Sequence, residues 1–161
     1  MSKIHNIFDY LDIKRVNLNL KSNDKIEIIK ELAQPIIASG KIKDHEAFLN
    51  DVFTREEQGS TGIGEGIAIP HCRSEHVDQI MISIGKKNEG IDFDSIDDEI
   101  VKVFFLLAIP KTNMQTYLEI ISKLSRVLNS EGFKENFLNA ESEMNLLDIF
   151  KEAEENLNVD Y

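Results

Sequence analysis

The chain has 161 residues, 42% of them hydrophobic, with 18 basic against 29 acidic side chains and a net charge of -11. That length and composition suit one domain with a genuine core. The acidic balance excludes nucleic acid and an anionic membrane surface as main partners, since both demand a basic patch, and it suits a partner with a basic face.

A single cysteine, Cys72, rules out an intramolecular disulfide and fits a reducing compartment. No apolar run follows Lys3; His5, Asn6 and Asp9 interrupt it, so no secretory signal is read. The longest apolar run, Val103 to Ile109, is far short of the roughly 20 residues of a membrane helix. The expectation is a cytoplasmic protein without direct membrane insertion.

In chain order, Val16 to Leu20 alternates apolar and polar residues, as a strand with one buried face does. Ser22 and Asn23 are candidate caps for a helix whose apolar positions are Ile26, Ile29, Leu32, Ala33 and Ile36. Pro35 predicts a kink or late break there, and Gly40 a stop. Asp44 can cap a second helix carrying Ala47, Phe48, Val52 and Phe53 on one face, ending near Gly59. Ile80 to Ile84 reads as a strand, Gly85 to Gly90 as a polar turn, and Ile91 to Phe93 as a short extended piece. Val101 to Ile109 reads as a strand buried on both faces. Pro110 stops it, and Thr112 or Asn113 can cap the next element. Tyr117, Ile120, Ile121, Leu124, Val127 and Leu128 form an amphipathic helical stripe. After Gly132, a short helical face holds Phe133, Phe137 and Leu138. A last helix starts at the candidate cap Ser142 and carries Met144, Leu146, Leu147 and Phe150. The acidic tail, about 152–161, is expected to fray. This order predicts one α/β domain over residues 1–161, with helices covering a central sheet. Strand order does not follow from the pattern.

The stretch from Arg55 to Cys72 carries the chemistry. Four glycines, Gly59, Gly62, Gly64 and Gly66, fall within eight residues. The short apolar run Ile67 to Ile69 follows, then Pro70 and His71. A neutral imidazole is nucleophilic near pH 7, since its unperturbed pKa is about 6.5. Attack on phosphorus gives a labile P–N bond, which suits a relay. Such a site needs positioning and charge stabilisation. Arg55 can supply a bidentate guanidinium. Thr61 or Ser60 and the glycine amides can supply neutral donors. The alternative is a plain strand-end histidine in a loop. A nucleotide loop fits poorly, because Gly62-x-Gly64-x-Gly66 lacks the third glycine spacing and no Gly-Lys-Ser/Thr follows. A metal site at His71, Cys72 and His76 lacks further ligands, as His5 and His45 are isolated. A thiol nucleophile at Cys72 is weaker still. Tyr117 reads either as core filler or as a hydroxyl meeting an anion near a helix N-terminus. No metal or cofactor is expected.

The run Gly64-Glu65-Gly66-Ile67-Ala68-Ile69-Pro70-His71-Cys72, with Glu56 eight residues before Gly64, resembles the signature of the enzyme IIA domain of the phosphoenolpyruvate-dependent sugar phosphotransferase system (PTS). The branch is that of fructose-type, mannitol-type and nitrogen-regulatory members. Arg55, sixteen positions before His71, matches the family's active-site arginine. Gly90 to Phe93, Phe105 to Pro110 and Ser122 to Leu128 match its later elements.

The resemblance implies a central mixed five-stranded sheet flanked by helices on both faces. It implies a phosphotransferase component in which His71 accepts a phosphoryl group from the phosphocarrier HPr, or a paralogue, and passes it to a cysteine of an enzyme IIB. In nitrogen-type members the phosphorylation state instead controls a regulatory protein. One departure stands out. The family's second active-site histidine falls at Tyr117, which can donate a hydrogen bond but carries no positive charge near pH 7. Two functions follow: a relay in sugar uptake, and a regulatory module whose transfer step is altered or absent.

Overall fold

The structure, a computed structural model, describes residues 6–111 and 114–159. Its central strand is β6, Val101–Pro110. Side chains of a strand alternate between faces. Phe104, Leu106 and Ala108 therefore enter one core, and Val103, Phe105, Leu107 and Ile109 the other. That double burial explains why the strand is an almost unbroken apolar run.

On one side of β6 lies β5, Met81–Ile91, antiparallel to it. Beyond β5, β1 (Val16–Asn17) pairs in parallel. On the other side, β3 (Ile67–Ala68) and β4 (His71–Ser74) both run parallel to β6. Ile67 faces Val103 and His71 faces Leu107, the same register offset. So β3, Ile69-Pro70 and β4 form one strand position broken by proline. Pro70 has no N–H to give, yet its carbonyl still accepts from the Leu107 amide at 3.0 Å. β2, Gly62–Gly64, closes the edge antiparallel to β3. Six strands thus fill five positions, ordered β1, β5, β6, β3 with β4, then β2.

Helices α1 (Lys25–Ile37) and α2 (His45–Glu57) cover one face. The 3-10 turn Ile7–Tyr10 and helices α3 (Met114–Leu128), α4 (Phe133–Leu138) and α5 (Glu143–Val159) cover the other. The mixed sheet with helices on both faces matches the expectation. Asp44 and Ser142 act as expected: their side chains accept from Ala47 N and Asn145 N. Pro35 sits inside α1, which ends two residues later at Ile37. No helix among the described residues is long and apolar enough to cross a membrane.

Four readings change. Asp24, not Ser22 or Asn23, caps α1, accepting from Glu27 N at 2.9 Å; Ser22 instead bonds Glu31. Gly85 to Gly90 is not a polar turn but the continuation of β5. Its polar signal came from Lys86 and Lys87, whose stems are buried while their amines reach backbone carbonyls. Lys86 Nζ donates to Leu138 O and Ala140 O, and Lys87 Nζ to Leu20 O. The acidic tail does not fray where described: α5 runs to Val159 and buries Glu154. Finally, His71 does not end a strand but begins one, β4. The proposed α3 caps Thr112 and Asn113 lie outside the described residues.

Candidate functional site

The glycine segment is a hairpin followed by the broken strand. Glu65 and Gly66, the two residues between β2 and β3, both have positive φ, 58° and 80°. That is the left-handed pair a tight two-residue hairpin demands. Gly62 serves a different end: a Cβ there would run into the Ser95 side chain, so only glycine lets the two segments approach. The hairpin places Thr61 and Ile69 side by side, with Ile69 N donating to Thr61 O at 3.0 Å.

His71 is 4% exposed. Its Nδ1 lies 2.8 Å from the Ile69 carbonyl, and its Nε2 2.8 Å from the Tyr117 hydroxyl. A carbonyl only accepts, so Nδ1 carries the proton and Tyr117 donates to Nε2. The tautomer is thereby fixed, with the lone pair on Nε2. Burial pushes the His71 pKa down, and the charge of Arg55 adds to this; the Ile69 bond and the charge of Glu56 oppose it, but the net direction is downward. His71 is therefore a neutral imidazole at pH 7.

Arg55 occupies the last turn of α2 and donates through one guanidinium nitrogen to Gly59 O at 2.9 Å. Thr61 is buried, and its hydroxyl donates to Glu56 Oε1 at 2.5 Å while its N–H donates to Glu56 Oε2 at 2.9 Å. The structure joins Thr61 to Glu56, not to the imidazole. Ser60 turns away to Phe93 O. Glu56 in turn binds Lys25 Nζ at 2.8 Å. The structure thus brings His71 and Tyr117 into contact and sets Arg55 close enough for its charge to act on the ring.

Strand alternation sorts the rest of β4. Cys72 and Ser74 point to the α2 side, where Ser74 Oγ bonds Asp51. Burial pushes the Cys72 thiol up to about 12, so it is no thiolate nucleophile at neutral pH. Arg73 points with His71 to the α3 side, and its guanidinium lies over the Tyr117 ring at 5.5 Å. Among the described residues no cluster of metal-ligating side chains occurs.

Sequence reading missed Glu56 and Arg73 as site residues. Glu56 was only a spacing marker, though its place directly after Arg55 was a usable signal. Arg73 stands two residues after His71, a same-face position visible only once β4 is known to be a strand.

A buried imidazole whose protonless Nε2 accepts from Tyr117, set at a broken strand of a mixed sheet beside an arginine, is an arrangement that can act chemically as a nucleophile at Nε2. The family model described as "Phosphoenolpyruvate-dependent sugar phosphotransferase system, EIIA 2" matches residues 9–153, and the chain belongs to that family. It is 35% identical over 146 residues to the PTS system fructose-specific EIIABC component of Bacillus subtilis, covering 91% of this chain but 23% of that protein. It is 35% identical over 130 residues to the PTS system fructose-specific EIIA component of Haloferax volcanii, covering 81% of this chain and 82% of the relative. The crystal structure of Nitrogen Regulatory Protein IIA-Ntr from Neisseria meningitidis superposes with a TM-score of 0.84 at 26% identity, covering 89% of this chain and 98% of that one. Sugar-specific and nitrogen-regulatory proteins are thus both among its relatives.

Proposed function

We propose that the protein is a cytoplasmic phosphocarrier in which His71 Nε2 accepts a phosphoryl group from phospho-HPr, or an HPr paralogue, and hands it to a cysteine of an enzyme IIB. The observation that carries this is the pair of hydrogen bonds that fixes the His71 tautomer. The Nε2 lone pair attacks phosphorus, the donor's P–N bond breaks, and that electron pair returns to the donor imidazole. The His71 ring keeps its Nδ1 proton on Ile69 O and becomes a phosphoimidazolium. Its positive charge offsets part of the phosphoryl charge and keeps the new bond labile. In the second step a IIB thiolate attacks phosphorus, and the pair returns to Nε2. Tyr117 must leave Nε2 during the first step, and its hydroxyl then donates to a phosphoryl oxygen. Arg55 stabilises the equatorial charge. Glu56 accepts both the hydroxyl and the amide of Thr61, which shapes the pocket and becomes an auxiliary hydrogen-bond donor to the phosphoryl group when its hydroxyl turns from Glu56.

A second reading is a regulatory IIA whose phosphorylation state selects protein partners. The neutral Tyr117 cap on Nε2 and the backbone likeness to IIA-Ntr support it. One experiment tests the acceptor in both readings. Incubation with phospho-HPr is expected to give an acid-labile, alkali-stable phosphate that His71→Ala abolishes. No transfer from any HPr paralogue of the same cell overturns the proposal. Onward transfer to a IIB cysteine then separates the relay from the regulatory module.

A further inference from the structure

We infer that Arg73 is a second phosphoryl-binding cation of this site, an inference that rests on His71 being the acceptor. Arg73 and His71 lie on the same face of β4, two residues apart and so about 6.6 Å along the strand. Both turn toward α3, and both contact one side chain there. The Tyr117 hydroxyl meets His71 Nε2 at 2.8 Å, while the Tyr117 ring lies under the Arg73 guanidinium at 5.5 Å. Tyr117 therefore fixes the position of the cation relative to the nucleophilic nitrogen. Arg73 Nη1 reaches only the Met114 sulfur, at 3.6 Å, a weak acceptor. Its Nε is buried and has no hydrogen-bond partner. Among the described residues no carboxylate is paired with it.

A buried guanidinium N–H without an acceptor is costly, and structures seldom keep one without a reason. Here it belongs to the guanidinium over the ring whose hydroxyl meets the atom proposed to gain an anionic group. A phosphoryl group on Nε2 supplies the missing acceptor, and a guanidinium can meet it with more than one N–H. Tyr117 contributes no charge, and Arg55 is already bonded to Gly59 O. Arg73 completes the neutralisation from the strand side. No bond to Arg73 forms or breaks; it binds the phosphoryl oxygens in the transition state and in phospho-His71.

The test compares Arg73→Gln and Arg73→Lys with the parent protein, after thermal melting confirms that each is folded. The expected result is a loss of about tenfold to a hundredfold in the rate of phosphoryl acceptance for Arg73→Gln, with Arg73→Lys recovering part of it. A phosphorus NMR titration of phospho-His71 gives a second readout. A cation on the phosphoryl oxygens favours the dianion, so Arg73→Gln is expected to raise the phosphoryl pKa. If phospho-His71 forms normally and both rate and titration are unchanged in Arg73→Gln, the inference is overturned while the phosphocarrier reading stands. If the parent protein never accepts phosphate at His71, both fall together.

Discussion

At the scale of single residues, the site turns on Tyr117. It is half-buried, lies in the first turn of α3, and donates to the nitrogen proposed as the phosphoryl acceptor. In the proposed relay, a donor on the lone pair stabilises the resting imidazole and has to be displaced before attack, which slows acceptance. Once phosphate is in place the same hydroxyl is a neutral donor, weaker than a charged one. Tyr117→His puts a titratable donor there. Transfer from phospho-His71 to a IIB partner is expected to rise by about tenfold, measured by rapid quench with a labelled phosphoryl group. An unchanged rate would show that the position is packing alone. As candidates, His71 and Arg55 were marked in the sequence by the glycine-proline-histidine run and its spacing, and Tyr117 by the resemblance, which puts it at the family's second-histidine position. Arg73 and Glu56 were not. His-Cys-Arg-Ser has none of the branched and aromatic residues that mark a strand, so β4 and its same-face pair stayed hidden. Glu56 reads as one more helix-surface carboxylate until the fold bends the glycine segment back over it.

At the scale of elements, strong apolar patterns were read correctly and polar ones misled. β6 announced itself because both of its faces are buried. β5 was cut short in the sequence reading because Lys86 and Lys87 resemble a turn, yet carbonyls elsewhere in the fold accept their amines. The end of α5 was hidden in the same way. Its acidic sequence suggests a solvated tail, but Glu154 is 3% exposed. One carboxylate oxygen accepts from Ile7 N at 2.6 Å and approaches Lys123 Nζ at 3.4 Å; the other accepts from Phe8 N at 2.9 Å. This carboxylate ties the N-terminal turn to α3 and α5. Glu154→Gln keeps the shape but removes the charge opposite a buried lysine. It is expected to destabilise the fold by about 3 kcal/mol in urea denaturation. Hydrogen exchange should then show the Ile7 and Phe8 amides opening before the strands of the sheet. Retained protection at those two amides would count against the clamp.

At the scale of the whole molecule, the sheet separates two cores and sets α2 and α3 against opposite faces of β4, so His71 sits where both helix layers meet the broken strand. Burying that imidazole makes the site part of the protein's acid stability. The folded His71 has a depressed pKa, so below its unfolded pKa of about 6.5 the unfolded chain binds a proton that the folded chain refuses. Its contribution is full above that pH and is lost as pH falls through the folded value. Glu31 acts lower down. Burial raises its pKa, but the hydrogen bonds from Ser22, Lys21 and Asn17 outweigh that and hold it below the usual range. Its contribution is full above about pH 4.3 and is lost as pH falls further. Two windows follow. Denaturant titrations at a series of pH values should show a first loss of stability beginning near pH 6.5 that His71→Asn removes. A second loss, below about pH 4.3, should shrink in Glu31→Gln and be untouched by His71→Asn. A first window that survives His71→Asn would arise from another titrating group, and would show that the fold does not hold the His71 imidazole away from its proton.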